Sequence, residues 1–178
     1  MRKNSKFIRA MTRVAALTAV MCVSSMIYIP LTVPITLQSL ALFFGLFSLG
    51  GRDTAVAATL YVLLGIVGLP VFSGFRGGFA RLLDPTGGFI LALPISAFIF
   101  WLLELAFRPQ AEGRILLASI SLIVIYSAGS IWFSLVYLGL AERSFITALL
   151  TCVLPFVLPD IIKLSLAYFI SKKLPRLS

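Results

Sequence analysis

Gly87-Gly88-Phe89-Ile90-Leu91-Ala92-Leu93-Pro94-Ile95-Ser96-Ala97-Phe98-Ile99-Phe100-Trp101-Leu102-Leu103-Glu104-Leu105-Ala106-Phe107 is the stretch that decides the fold. A helix rises about 1.5 Å per residue and the hydrocarbon core of a bilayer is about 30 Å thick, so roughly 20 mainly apolar residues make one crossing. The run meets that length. Working outward, further apolar runs lie near Ile8–Tyr28, Gln38–Gly50, Thr54–Leu69, Ile115–Leu140 and Phe145–Ile170. They are separated by Pro30 and Pro34, by Gly50-Gly51-Arg52-Asp53, by the stretch from Pro70 to Pro85, by Arg108-Pro109 with Glu112-Gly113, and by Ala141-Glu142-Arg143-Ser144. The expectation is an all-α integral membrane protein, six transmembrane helices in a single domain over residues 1–178.

Composition closes off the soluble classes. Of the 178 residues, 60% are hydrophobic and only 12% charged, and the mean hydropathy is +1.08, too oily for a water-exposed globule. Six crossings leave no room for an extramembrane domain. Cys22 and Cys152 both sit in apolar runs without a CxxC or Cys/His partner, so they read as small core residues and imply neither a disulfide framework nor a zinc site. The basic N-terminus, Arg2 to Arg13, imitates a signal peptide, but Met21 is bulky where a lipoprotein signal before Cys22 needs a small side chain. The segment is expected to stay as a first helix.

Basic residues set the orientation, because cytoplasmic flanks are rich in Lys and Arg. With the N-terminus inside, Arg52, Arg108, Arg114, Lys172, Lys173 and Arg176 join the N-terminal cluster on the cytoplasmic side, and only Arg76, Arg81 and Arg143 fall opposite. Both termini are therefore expected in the cytoplasm of a bacterial-type plasma membrane. The formal net charge of +9 is then a topology signal. A nucleic-acid partner is not expected, since no groove-reading or aromatic-interleaved basic motif accompanies the charge.

Chemistry concentrates in Leu158-Pro159-Asp160-Ile161-Ile162-Lys163-Leu164. Each intramembrane charge costs about 2.5–3.5 kcal/mol at the bilayer centre, so a compensating partner or function is required. Spacing i, i+3 puts Asp160 and Lys163 on one helix face, where they neutralise each other and still present a polar edge. A purely structural pair against another helix is the alternative. Pro155 and Pro159 suggest a helix restarting at Pro159, with Asp160 in its first turn near the positive end of the dipole.

Three further segments offer walls for a pocket. The long Gly65–Phe89 connection combines glycines that permit close approach with Phe72, Phe75 and Phe79, which either cover an apolar ligand or sit at headgroup level. In the uncharged Pro30–Gln38 segment, Thr36 and Gln38 either line a cavity or, for Thr36, cap the next helix. Tyr126, Gly129 and Trp132 recur every three residues and make one face that is open to helix packing or to a ligand. On the first helix, Ala15 and Ala19 form a small-residue face suited to close helix approach, within the chain or with a separate subunit. Catalysis is poorly supported: there is no histidine and only six scattered acids, no Ser/His or Cys/His set, and no GxxxxGK[ST] loop for ATP.

In this order and at these separations, Pro34-Ile35-Thr36-Leu37-Gln38, Gly68-Leu69-Pro70-Val71-Phe72-Ser73-Gly74, Pro85-Thr86-Gly87-Gly88-Phe89, and Pro155-Phe156 with Asp160 and Lys163 resemble the BioY family, the biotin-specific substrate-capture (S) components of energy-coupling-factor transporters. The resemblance covers nearly the whole chain. It implies a six-helix fold with cytoplasmic termini, no cofactor, and biotin as ligand near the outer face. It assigns polar ligand contacts to Asp160 and Lys163, and a lid and wall to the segments holding Phe72, Ser73, Thr86, Gly87 and Gly88. Ala15 and Ala19 look like the docking face for the transmembrane coupling (T) subunit, which in turn binds ABC-type ATPase subunits. Arg76, Arg81 and Lys163 are candidates for the biotin carboxylate. Asp84 departs from the Gly that many relatives have before Pro-Thr-Gly-Gly. An S component for another vitamin, such as thiamine or riboflavin, and an intramembrane enzyme acting on a lipid head group are the competing readings.

Overall fold

The computed structural model describes residues 2–31, 33–136 and 153–173. Seven helices and one short ribbon make up the described chain: α1 (Arg2–Met26), β1 (Tyr28–Ile29), β2 (Ile35–Thr36), α2 (Gln38–Ser48), α3 (Gly51–Ile66), α4 (Ala80–Leu83), α5 (Gly87–Phe107), α6 (Ala111–Val136) and α7 (Leu154–Lys173). Four of them, Phe7–Met26 within α1 together with α5, α6 and α7, are long and apolar enough to cross a membrane. Two of the expected spans fall short of the roughly 20 residues of a full crossing: α2 has 11 residues and α3 has 16. The break between them is Gly50, whose φ of +89° is open to glycine at little cost. The expected ends of the fifth and start of the sixth run, Leu140 and Phe145, lie outside the described residues, as do Cys152, Arg143, Ser144 and Arg176.

Small residues and hydroxyls bring these helices together, as expected where lipid removes the hydrophobic drive for helix association. α5 packs between α3 and α6, and α2 between α1 and α7. Thr18 of α1 donates to the Ala57 carbonyl of α3 (3.3 Å), and Ser121 of α6 donates to the Ser96 carbonyl of α5 (3.2 Å). α2 lies deepest, with Leu42, Phe43 and Leu46 fully buried.

Each end of the bundle has its own polar character. At one, Arg13 pairs with Asp53 (3.4 Å) in the first turn of α3, and Glu104 accepts the Gly51 N–H (2.8 Å) while receiving Arg114 (2.5 Å), which also donates to the Leu46 carbonyl (2.9 Å). The helix ends of α2 and α3 are thus satisfied by side chains from α5 and α6. At the other end the chain between α1 and α2 folds back as an antiparallel ribbon, Tyr28 opposite Thr36 and Ile29 opposite Ile35, and Leu37 N–H donates to the Ile27 carbonyl (3.1 Å). The twin-proline segment therefore satisfies its backbone by pairing with itself.

The irregular stretch after α3 is anchored by glycine. Gly65 lies under the Phe72 ring, where a Cβ would fall 2.0 Å from Phe72 Cζ. A two-residue bridge, Phe72 with Arg76, closes the tip, and Ser25 of α1 donates to the Val71 carbonyl.

One expectation about α7 is corrected here. The helix begins at Leu154 and runs through Pro159, so Asp160 sits in the second turn instead of the first. Pro155 occupies the first turn, where its missing N–H costs nothing, while the Val153 carbonyl accepts the N–H of Phe156 (2.8 Å) and of Val157 (3.2 Å).

Candidate functional site

α7, α2 and α6 converge on one carboxylate. Asp160 and Lys163, one turn apart on α7, are both turned inward, with residue exposures of 5% and 7%. Lys163 Nζ donates to Asp160 Oδ1 (2.9 Å) and to Ser39 Oγ (3.1 Å). Ser39, in the first turn of α2, donates its own hydroxyl to Asp160 Oδ1 (2.8 Å), and Tyr126 of α6 donates its hydroxyl to Asp160 Oδ2 (2.9 Å). Three donors on one carboxylate offset the desolvation that makes a buried ion costly. The pair thus faces neighbouring helices, as a structural pair would, and both side chains also border a cavity.

That cavity has a volume of about 80 Å³, smaller than the roughly 300–1,000 Å³ of pockets that enclose a drug-sized ligand. Its polar lining comes from Asp160, Lys163, Ser39, Gln38, Thr36, Ser73 and Thr86, and Val33, Phe89, Tyr126 and Phe156 form the apolar walls. Val33 and Phe156 belong, with Phe133, to a small apolar cluster separate from the main core. A second chamber shares Pro34, Ser73 and Thr86 with the first and continues outward to Tyr28, Gly74, Arg76 and Arg81. The two adjoin at these shared residues, with the Asp160–Lys163 pair lining the first and two guanidinium groups lining the second. No cluster of three metal-ligating side chains occurs among the described residues.

The residues singled out in the sequence divide accordingly. Thr36, Gln38, Ser73, Thr86, Tyr126, Asp160 and Lys163 all line the inner cavity. Thr36 does not cap α2, whose N-cap is Leu37 with no side-chain cap bond; its Oγ1 accepts the Gln38 N–H (3.3 Å) in a local turn. Thr86 Oγ1 is buried with no partner among the described residues. Arg76 and Arg81 line the outer chamber, and Arg81 Nη1 pairs with Asp84 Oδ2.

Phe72 lies elsewhere than expected. It is fully buried against Gly65 and edge-on to Tyr61 (centroids 5.6 Å apart), because the tip of the loop turns it back into the bundle. Phe89 and Phe156 supply the aromatic wall instead. Gly87, Gly88 and Trp132 do not border either chamber but support it: Trp132 covers Gly88, where a Cβ would fall 2.1 Å from Trp132 Cβ, and its indole N–H donates to the Asp84 carbonyl (3.1 Å). The Tyr126-Gly129-Trp132 face is therefore mixed, with a polar contact at Tyr126, the Phe89 ring against Gly129, and loop support at Trp132. On α1, Ala15 and Ala19 are exposed while Leu17 and Thr18 point inward.

Ser39, which bridges both charges, was not singled out from the sequence. Its one local signal is a hydroxyl at the start of a helix, which has the same appearance whether it caps or binds.

With this geometry in place, three likenesses carry weight. A protein of Thermotoga maritima named biotin transporter BioY is 34% identical over 171 residues, 95% of this chain and 97% of that one. A Pyrococcus horikoshii protein named probable biotin transporter BioY is 37% identical over 142 residues, 80% of each chain. A solved crystal structure, described as the S-component for biotin from an ECF-type ABC transporter, superposes with a TM-score of 0.86 at 24% identity, covering 98% of this chain and 96% of that one, and shows a shared fold. The BioY family model matches residues 1–178, the full length, and the chain belongs to the BioY family.

Proposed function

We propose that this protein is the biotin-capturing subunit of an ATP-driven energy-coupling-factor transporter. The observation that carries the proposal is the buried Asp160–Lys163 pair bordering an open cavity with Ser39 and Tyr126. Biotin suits that polar lining: a ureido N–H for the acceptor site that three donors leave open on Asp160 Oδ2, and a ureido carbonyl for the Lys163 ammonium. Its fused rings meet Val33, Phe89 and Phe156, and Thr36, Gln38, Ser73 and Thr86 add polar edges along the path. The valerate tail runs outward to Arg76 and Arg81. The biotin-transporter names of the two relatives support this reading.

In this reading α1, α2, α3, α5, α6 and α7 are the six crossings. The 11 residues of α2 rise only about 16 Å, and the half-exposed ribbon before it extends that path. The end bearing Arg13, Arg52, Arg108 and Arg114 faces the cytoplasm, with both termini, and the two-chamber path opens outside. The whole chain acts as a single substrate-binding domain. The exposed Ala15–Ala19 face of α1 admits the close approach of a helix from the coupling subunit, and ATPase subunits on that partner supply the energy. This chain holds the vitamin and performs no chemistry on it.

The test is retention of labelled biotin by the purified chain in competition with thiamine and riboflavin. Saturable biotin binding, undisturbed by excess of either competitor, is expected. Retention of thiamine or riboflavin without biotin would transfer the same architecture to another vitamin.

A further inference from the structure

The outer chamber contains an ion pair whose acid stands behind its base. Arg81 lines the chamber and Asp84 does not, yet Asp84 Oδ2 accepts from Arg81 Nη1. The arginine is the better buried partner, with side-chain exposures of 14% for Arg81 and 44% for Asp84. Asp84 is fixed by its surroundings: its carbonyl accepts the Trp132 indole N–H (3.1 Å) and the Gly87 N–H (2.9 Å). The ligand thus meets a guanidinium already neutralised from the rear, with its Nε–H buried and without a partner among the described residues. Arg76 is exposed at the rim, where water and salt weaken its pull.

We propose that Asp84 sets the tail selectivity of the site: by neutralising Arg81 it suppresses the preference for a carboxylate-ended ligand, so that the protein also takes ligands whose tail is a neutral amide. The inference rests on the proposed biotin site. A guanidinium paired with a carboxylate remains a hydrogen-bond donor through its other N–H groups, so it still accepts an amide carbonyl. An incoming carboxylate, in contrast, is drawn to Arg81 less strongly than to an unpaired guanidinium, because the acid behind it opposes the pull.

Asp84→Asn isolates the charge, since Asn keeps an acceptor oxygen for Arg81 Nη1. The experiment is equilibrium binding of biotin and of biotinamide to the full-length protein and to Asp84→Asn, with Asp84→Ser as a second charge-removing variant in case the first fails to fold. The expected result is biotin affinity raised roughly two- to fivefold in the variants, with biotinamide unchanged. Equal shifts for both ligands, or none, would overturn the proposal, and so would a selective loss of biotin, which would make Asp84 a support for Arg81 only. Failure of the unaltered protein to bind either ligand would overturn the biotin reading itself, and this inference with it.

Discussion

At the scale of single residues, the energetics centre on how the Asp160 carboxyl group is accommodated in an oily setting. Three donors reach its two oxygens, and one of them, Ser39, also accepts from Lys163. A hydrogen bond to a charged group contributes about 1.5–3 kcal/mol, so loss of the Tyr126 hydroxyl weakens the carboxylate's setting without dismantling the site. Tyr126→Phe is expected to reduce biotin affinity by roughly tenfold, measured by equilibrium dialysis; an unchanged constant would place that hydroxyl outside the recognition network. Asp160 and Lys163 were legible in the sequence because ionisable groups in an apolar run are costly and call for a reason. Ser39 was not, because a serine at a helix start is ordinary until α2 is known to pack on α7. Phe72 misled for a related reason. A ring beside glycines covers a ligand or fills the bundle with equal ease, and only the turn at Gly74 and Phe75, with φ of +77° and +56°, sends it inward.

The elements are held by a few close approaches that tolerate little change. Gly65 on α3 faces the Phe72 ring with no space for a Cβ. Gly65→Val is expected to destabilise the protein by about 1–3 kcal/mol, the usual cost of overpacking, and to lower the thermal midpoint in detergent by several degrees. At the opposite end Arg114 ties α6 to α2 and α5 through Leu46 and Glu104. Arg114→Ala should lower the thermal midpoint while leaving biotin affinity intact, because the cluster lies at the far end from the cavity; a loss of affinity equal to that of the cavity variants would show that the two ends are coupled. The apolar runs located these elements well, but their ends less so. Pro159 looked like a helix start, yet Pro155 one turn earlier already satisfies the requirement for a first-turn proline, and α7 accommodates the second one in its interior.

For the whole molecule, charge distribution was the legible part. The basic residues expected in the cytoplasm, Arg13, Arg52, Arg108 and Arg114, gather at one end of the bundle, with ion pairs to Asp53 and Glu104. The opposite end, with Arg76 and Arg81, holds the ribbon, the glycine-anchored loop and the second chamber. The sequence does not state that two separated segments, Pro34–Gln38 and Ser73–Thr86, meet over α7, because that contact exists only after the bundle assembles. The orientation has a direct check. In a background where both native cysteines are replaced, Arg52→Cys is expected to react with an impermeant maleimide only in inverted vesicles, and Phe75→Cys only in right-side-out vesicles. Both positions are exposed; labelling of both from one side would contradict the arrangement.

The central claim is that the membrane-buried acid and base on α7 are retained because a polar ligand group uses both. Calorimetric titration of biotin into the purified protein, Asp160→Ala and Lys163→Ala tests it most directly. One saturable site is expected in the unaltered chain, with affinity lower by more than about tenfold in each variant, since removing either partner leaves the other charge buried and unmatched. Undiminished biotin affinity in both variants would contradict the account.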